Sequence, residues 1–226
     1  MSDIKPYLIS ISDNEINELK ERLRLSRLPE KETTDDWSQG VPLNYVKKIA
    51  DYWLNEYNFR RLEDRLNQHP NFMTEIDGVG IHFMHIQSSY QGAKPLLLTH
   101  GWPGSIIEFL KVIDRLTEPQ EFGGNQEDAF HLVIPSLPGF GFSGKPEVTG
   151  WGVDKIASAW KILMERLGYA EYFAQGGDWG ALVTSWVARH DINCKGIHLN
   201  MVVVPPDTNA KDLTEIEQKA LEGWQY

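Results

Sequence analysis

The spacing of apolar and polar positions changes character once along the chain, near residue 71. Before that point the pattern is helical. Ser12-Asp13-Asn14-Glu15 has the S-x-x-E spacing of a capping box, and Ile11 and Ile16 stand where a hydrophobic staple clamps a helix start. Ile16, Leu19 and Leu23 continue one face, which Leu28-Pro29 ends. After a polar stretch from Lys31 to Gly40, Pro42 can open a second helix at its first position. Leu43, Val46, Ala50, Trp53 and Tyr57 follow at helical intervals, and Phe59, Leu62 and Leu66 form a third stripe before His69-Pro70. Residues 1–71 are therefore expected to be a helical, aromatic-rich arm.

From Phe72 onward the texture becomes that of strands alternating with helices. Met73–Ile76, a turn at Asp77-Gly78 and Ile81–Ile86 read as a β-hairpin. Leu96–Thr99 and His131–Ile134 are short apolar runs of the kind that buried parallel strands show. Between them, Ile106, Phe109, Leu110 and Ile113 mark one amphipathic segment. Ile156, Trp160, Leu163 and Leu167 mark a further helix, stopped by Gly168 at the usual left-handed cap position. Glu171–Gln175 reads as a strand, Ala181–Arg189 as a helix, and Gly196–Asn200 as one more strand. This alternation predicts an α/β fold: an open, mostly parallel sheet with helices on both faces, over residues 72–205. Ligands of such sheets bind beyond the carboxyl ends of the strands.

Composition narrows the function classes. Against 22 Lys and Arg stand 32 Asp and Glu, a formal charge of −10, which argues against nucleic acid and anionic membrane surfaces as partners. No stretch reaches the ~18 apolar residues of a membrane span, and the first residues lack the basic and apolar regions of a secretion signal. Cys194 is the single cysteine, so no intrachain disulfide forms and a reducing cytoplasm is the expected compartment.

The chemistry concentrates in two loops at expected strand ends, His100-Gly101-Trp102-Pro103-Gly104 and Gly176-Gly177-Asp178-Trp179-Gly180. The second has the strand–turn–helix shape of a nucleophile elbow, G-x-S-x-G, with aspartate in the serine place. Gly176 and Gly180 fit a bend where strand and helix approach closely, and Gly177 adds tolerance. A carboxylate needs no base to ionise, and it suits the opening of a strained ring at sp³ carbon. The product is an ester on Asp178 itself, which water must then cleave. The amides of Trp102 and Trp179 stand where a hydrolase sheet of this kind supplies its oxyanion hole. Read as plain structure, Asp178 would be a helix N-cap, although a cap does not require a glycine on each side. His100 is expected to orient its loop by hydrogen bonds. With Pro103 and Phe140 it forms the set of substrate-pocket candidates. Trp37 and the rest of "DWSQG" are expected to latch the arm to the core. His82 and His85 fall on opposite faces of one strand, which disfavours joint metal binding.

"DWSQGVPLNY", "LLLTHGWPGS", "VIPSLPGFGFSG", "AQGGDWG" and "GIHLNM", in that order, resemble the epoxide hydrolases of the α/β-hydrolase superfamily. The likeness is to the microsomal and juvenile-hormone type and its bacterial relatives, which carry an N-terminal arm, and it extends from about Ile9 to Met201. The resemblance implies an epoxide as small-molecule substrate, Asp178 as nucleophile, the Trp102 and Trp179 amides as oxyanion hole, and neither cofactor nor metal. It also allows a cis Trp102-Pro103 peptide, and it leaves open a homodimer. The family further uses two lid tyrosines, a charge-relay acid and a histidine that follow the nucleophile.

After Asp178 only His190 and His198 remain. His190 is expected about three turns down the elbow helix. His198 is expected mid-strand with its side chain packed against a helix. Residues 206–226 are expected to begin a lid, the last core strands are absent, and the chain is expected to be the inactive N-terminal portion of a longer enzyme. Two other readings stand beside this one. A haloalkane dehalogenase also uses an elbow aspartate followed by Trp, and a non-catalytic scaffold would not need the histidine.

Overall fold

The computed structural model describes residues 4–203, 210 and 212–224, and of Trp224 only the backbone. The arm starts with a short strand β1 (Lys5–Pro6), then three helices, α1 (Asp13–Arg24), α2 (Leu43–Asn55) and α3 (Phe59–Asn67). The expectation of an all-helical arm is corrected by β1, which pairs antiparallel with the next strand, β2 (Asn71–Ile76), and so becomes the edge of the sheet. The Ser12–Glu15 capping box forms as read, with both reciprocal bonds present. Helix α1 stops at Arg24, one turn before Leu28-Pro29, and leaves Leu25 exposed. Trp37 packs edge-on against Tyr45 of α2, at 5.2 Å between ring centroids, and is 58% exposed. The "DWSQG" stretch is thus folded onto the arm itself, not latched to the core.

The hairpin of β2 and β3 (Val79–Ile86) turns at Asp77-Gly78 as the alternation predicts. Strand β4 (Lys94–Thr99) follows. The segment expected to be amphipathic consists of a tight 3₁₀ turn, Ile106–Phe109, followed by the short helix α4 (Ile113–Thr117). Its amides bond three residues back: Glu108 to Ser105, Leu110 to Ile107 and Val112 to Phe109. Ile106, Leu110 and Ile113 still bury against the sheet. Then come β5 (Phe130–Pro135), α5 (Val153–Arg166), β6 (Tyr172–Gly176), α6 (Trp179–His190), β7 (Cys194–Leu199) and α7 (Glu215–Trp224). The expected boundary between residues 205 and 206 lies outside the described residues.

The strands form one mixed sheet in the order β1-β2-β3-β5-β4-β6-β7. Pairing is antiparallel from β1 through β3 to β5, and parallel through β5, β4, β6 and β7. Period-two alternation divides the apolar residues between two cores. Leu97 and Val133 face one side, with Trp160, Leu163 and Met164 of α5 and Val183 and Val187 of α6. Leu96, Leu98, Leu132 and Ile134 face the other, with Ile106, Leu110 and Ile113 and with Ile9 and Leu66 of the arm. Strand β4 is the pivot. The chain leaves it for β5 on one side and later returns, past it, to β6 on the other. The carboxyl ends of β4 and β6 therefore lie side by side at a topological switch point, where open α/β sheets form a crevice.

One buried polar group fixes the hairpin to this frame. His82 is fully buried in β3, with Nε2 3.0 Å from Asn71 Oδ1 and Nδ1 3.0 Å from Ser136 Oγ. Asn71 spends its amide protons on the Leu66 and His69 carbonyls, so its Oδ1 is free to accept from Nε2–H. Burial lowers the His82 pKa from its ordinary 6.5 to about 4. The neutral ring therefore stabilises the fold above pH 6.5, and that contribution fades as pH falls through about 4, by roughly 3 kcal/mol in all. Urea unfolding between pH 7 and 4 should show this loss, and His82→Gln should flatten it while lowering stability at pH 7.

Candidate active site

Strand β6 ends at Gly176 and α6 begins at Trp179, leaving two residues to reverse the chain. A Cβ on Gly176 would sit 2.1 Å from the Gly180 carbonyl oxygen. A Cβ on Gly180 would sit 2.1 Å from the Thr99 carbonyl oxygen and 2.7 Å from that of His100. The two glycines thus let β6, α6 and the end of β4 meet backbone to backbone. Gly177 is glycine for contact too: a Cβ there would fall 2.2 Å from Asn200 Oδ1.

Asp178 occupies the tip of the bend with φ 52° and ψ −129°, a conformation costly for any residue with a side chain. Glycine would remove the strain; what it could not supply is a carboxylate. The helix-cap reading fails here, because the Asp178 side chain makes no cap hydrogen bond. It turns instead toward the loop after β4, where Oδ1 accepts a 2.8 Å hydrogen bond from the Trp102 amide. The Trp179 amide, and after it the Trp102 amide, hold the Asp178 carboxyl below the usual carboxylate range. The indoles of Trp102 and Trp179 are 66% and 52% exposed, so the backbone of each residue is what serves the bend.

The loop after β4 is shaped to this end. A Cβ on Gly101 would come within 2.4 Å of Asp178 Oδ1 and 2.5 Å of Asp178 Cβ, so only glycine admits Asp178 here. The Trp102-Pro103 peptide is cis. His100 is buried behind the loop. Its Nε2 accepts a 3.0 Å bond from the Leu137 amide, so the proton is on Nδ1, which lies 3.0 Å from the Gly101 carbonyl. Burial pushes its pKa down, and this neutral tautomer is the one both partners need.

An open cavity of about 380 Å³ surrounds Asp178, with Gly101, Trp102, Pro103, Gly104, Glu108, Gly177, Asn200 and Met201 in its wall. Of the expected pocket residues, Pro103 lines it. His100 and Phe140 do not: Phe140 packs edge-on against the buried His100 ring, 5.6 Å between centroids, and braces the loop from behind. Glu108 and Asn200 line the cavity without having been expected there. The S-x-x-E spacing of Ser105 and Glu108, directly after the first loop, was the available signal.

His190 lies at the far end of α6, stacked on Trp186 at 4.4 Å, away from this cavity. His198 is exposed, not packed against a helix, because it stands on β7 at the sheet edge and faces an open apolar groove of about 780 Å³.

A carboxylate at a strained strand–helix bend, met by an amide of the neighbouring loop, defines a class. The chain belongs to the α/β-hydrolase fold family, whose model matches residues 94–226, and the model described as epoxide hydrolase N terminus matches residues 4–109. A Stigmatella aurantiaca protein named "Putative epoxide hydrolase" is 51% identical over 220 residues, 96% of this chain and 50% of that protein. Juvenile hormone epoxide hydrolase from Bombyx mori has a similar structure, with a TM-score of 0.78 and 38% identity over 89% of this chain and 53% of that one. Aspergillus niger epoxide hydrolase gives 0.79 and 33% identity over 98% of this chain and 59% of that one. The chain spans about half the length of the curated relatives it matches. Among the described residues no helix is long and apolar enough to cross a membrane.

The backbone contacts around Gly180 lead to a prediction. Gly180→Ala drives its methyl into two carbonyl oxygens that cannot swing aside, and should cost about 3 kcal/mol. Gly80→Ala, where the new methyl meets only the Met73 sulfur at 3.4 Å, should cost far less. Urea unfolding of both variants checks the contrast.

Proposed function

We propose that Asp178 is the nucleophile of an epoxide hydrolase, and that this chain carries the nucleophile and oxyanion hole of that enzyme. The observation that carries the reading is the 2.8 Å bond from the Trp102 amide to Asp178 Oδ1. It divides the two carboxyl oxygens by role. Oδ1 is anchored, so Oδ2 is the oxygen that attacks.

In the first step Oδ2 forms a bond to an epoxide carbon, the strained C–O bond breaks, and its electron pair stays on the departing oxygen as an alkoxide that takes up a proton. Asp178 is then a neutral alkyl ester. In the second step a water molecule, losing a proton to a base, adds to the Asp178 carboxyl carbon. The negative charge of the tetrahedral intermediate falls on Oδ1, which accepts from the Trp102 amide, with the Trp179 amide as the second donor of this reading. Collapse breaks the bond between the carboxyl carbon and Oδ2, and the diol leaves with Oδ2 as one of its hydroxyl oxygens. Aspartate is regenerated with one oxygen from water.

The resemblance assigns the proton donor to lid tyrosines and the base to a histidine. His190 and His198 do not line the Asp178 cavity, and among the described residues Glu108 is its other ionisable wall residue. The chain alone is therefore expected to stall at the ester rather than turn over. Support comes from the five sequence motifs and from relatives named epoxide hydrolase at 51% and 40% identity.

The test is mass spectrometry after incubation with styrene oxide. The peptide spanning residues 171–190 should gain the mass of one epoxide, on Asp178, and Asp178→Asn should abolish the gain. In a turnover-competent protein containing this segment, a single turnover in ¹⁸O-water should place one heavy oxygen in Asp178 and none in the first diol released. An adduct on another residue, or a label found directly in the diol, contradicts the reading. Halide release from a haloalkane without diol formation from epoxides would assign the dehalogenase reaction instead.

A further inference from the structure

We propose that Glu108 is a positioning residue for this site: its carboxylate holds the loop that presents the Trp102 amide, and stands as a second negative charge on the wall of the Asp178 cavity. The inference rests on Asp178 being the reactive carboxylate, and it extends to a residue to which none of the preceding chemistry gives a task.

Two independent geometric facts support it. Glu108 closes a capping box with Ser105, in which Glu108 Oε1 accepts a 3.1 Å bond from the Ser105 amide while the Ser105 hydroxyl accepts from the turn that follows. Ser105 is the last residue of the stretch that begins at Gly101, so this bond fixes the downstream end of the loop as the His100 bonds fix its upstream end. The second fact lies at Gly104. A Cβ there would fall 1.5 Å from Glu108 Oε1, so the carboxylate lies in the space that a side chain on the loop would occupy. A side chain at residue 104 would therefore displace the Glu108 carboxylate from this position.

The electrostatics agree with this placement. Packing against the loop and then the negative charge of Asp178 push the Glu108 carboxyl above the usual range, although the Ser105 amide pulls the other way. Among the described residues, no Lys, Arg or His lines the cavity to offset the pair. Esterification of Asp178 removes one of the two charges. The repulsion between them is thus present in the free protein and absent at the covalent stage, which favours the forward step.

The acceptor and the charge can be separated with three variants of the chain. Glu108→Gln keeps a carbonyl for the Ser105 amide and removes the charge, Glu108→Ala removes both, and Gly104→Ala keeps the charge but displaces the carboxylate. The readouts are the Asp178 carboxyl titration by ¹³C NMR and hydrogen exchange of the Trp102 amide, neither of which requires turnover. Asp178 should titrate lower in Glu108→Gln than in wild type, because the repulsion is gone. It should titrate higher in Glu108→Ala than in Glu108→Gln, because the two have equal charge but only one retains the loop.

Trp102 amide exchange should be about fivefold faster in Glu108→Ala than in Glu108→Gln, and Gly104→Ala should show the faster exchange as well. A purely structural cap would lower global stability and leave these comparisons unchanged. If Asp178 titrates alike in wild type, Glu108→Gln and Glu108→Ala, or if Trp102 exchanges alike in the Gln and Ala variants, the proposal is overturned. Should Glu108→Ala fail to fold, the comparison of Gly104→Ala with wild type decides the loop's role and that of Glu108→Gln the charge. Alkylation of Asp178 by styrene oxide is read separately, so failure of this inference is distinguishable from failure of the nucleophile assignment.

Discussion

The structure around the site depends on one interaction: Asp178 Oδ1 accepts a hydrogen bond from the Trp102 amide of the loop after β4, and the Trp179 amide at the start of α6 also favours the ionised carboxyl. The bond is worth most if the donors are fixed before the charge that needs them appears, since fixed donors cost no reorganisation during reaction. Both donors meet that condition. Trp179 is the first residue of α6, and Trp102 is held between the buried His100 and the capping box at Ser105. The strained φ of Asp178 serves the same requirement, because in this conformation the carboxylate reaches the Trp102 amide of the neighbouring loop.

The rest of the fold serves to bring those two loops together. Parallel pairing of β4 with β6 sets Thr99 beside Gly176, so the two strands end at the same level. Crossing first to β5 and then back to β6 leaves the crevice between their carboxyl ends open. Gly101, Gly176, Gly177 and Gly180 each remove a Cβ from a contact in which it would lie within 2.4 Å of a neighbouring atom. The apolar cores on both faces keep β4 from shifting, with Leu97 on one side and Leu96 and Leu98 on the other. Trp160 adds a hydrogen bond to the Thr99 hydroxyl at the level where the site begins.

The sequence showed most of this where local chemistry and tertiary packing agree. The Ser12 capping box, the Asp77-Gly78 hairpin, the left-handed Gly168 and the elbow glycines were all legible, because each is a backbone requirement that few residue types satisfy. It misled where a side chain's neighbours come from distant segments. Phe140 read as a pocket candidate, yet it packs behind the loop against His100, whose hydrogen bonds orient the loop as read. Trp37 read as an arm-to-core latch, yet its ring partner is Tyr45 on the same arm. His198 read as packed because strands of such sheets are normally covered on both faces, whereas β7 is an edge facing an open groove. Strand β1 was missed altogether. Two residues, one of them proline, carry no period to read.

The amides that meet Asp178 can be watched directly. In ¹⁵N-resolved NMR of the chain, the Trp102 and Trp179 amide protons should titrate together, with one midpoint below that of an exposed aspartate, and both responses should vanish in Asp178→Asn. If the two amides titrate with different midpoints, or only one of them responds, Asp178 does not hold both donors and the account of the site is wrong.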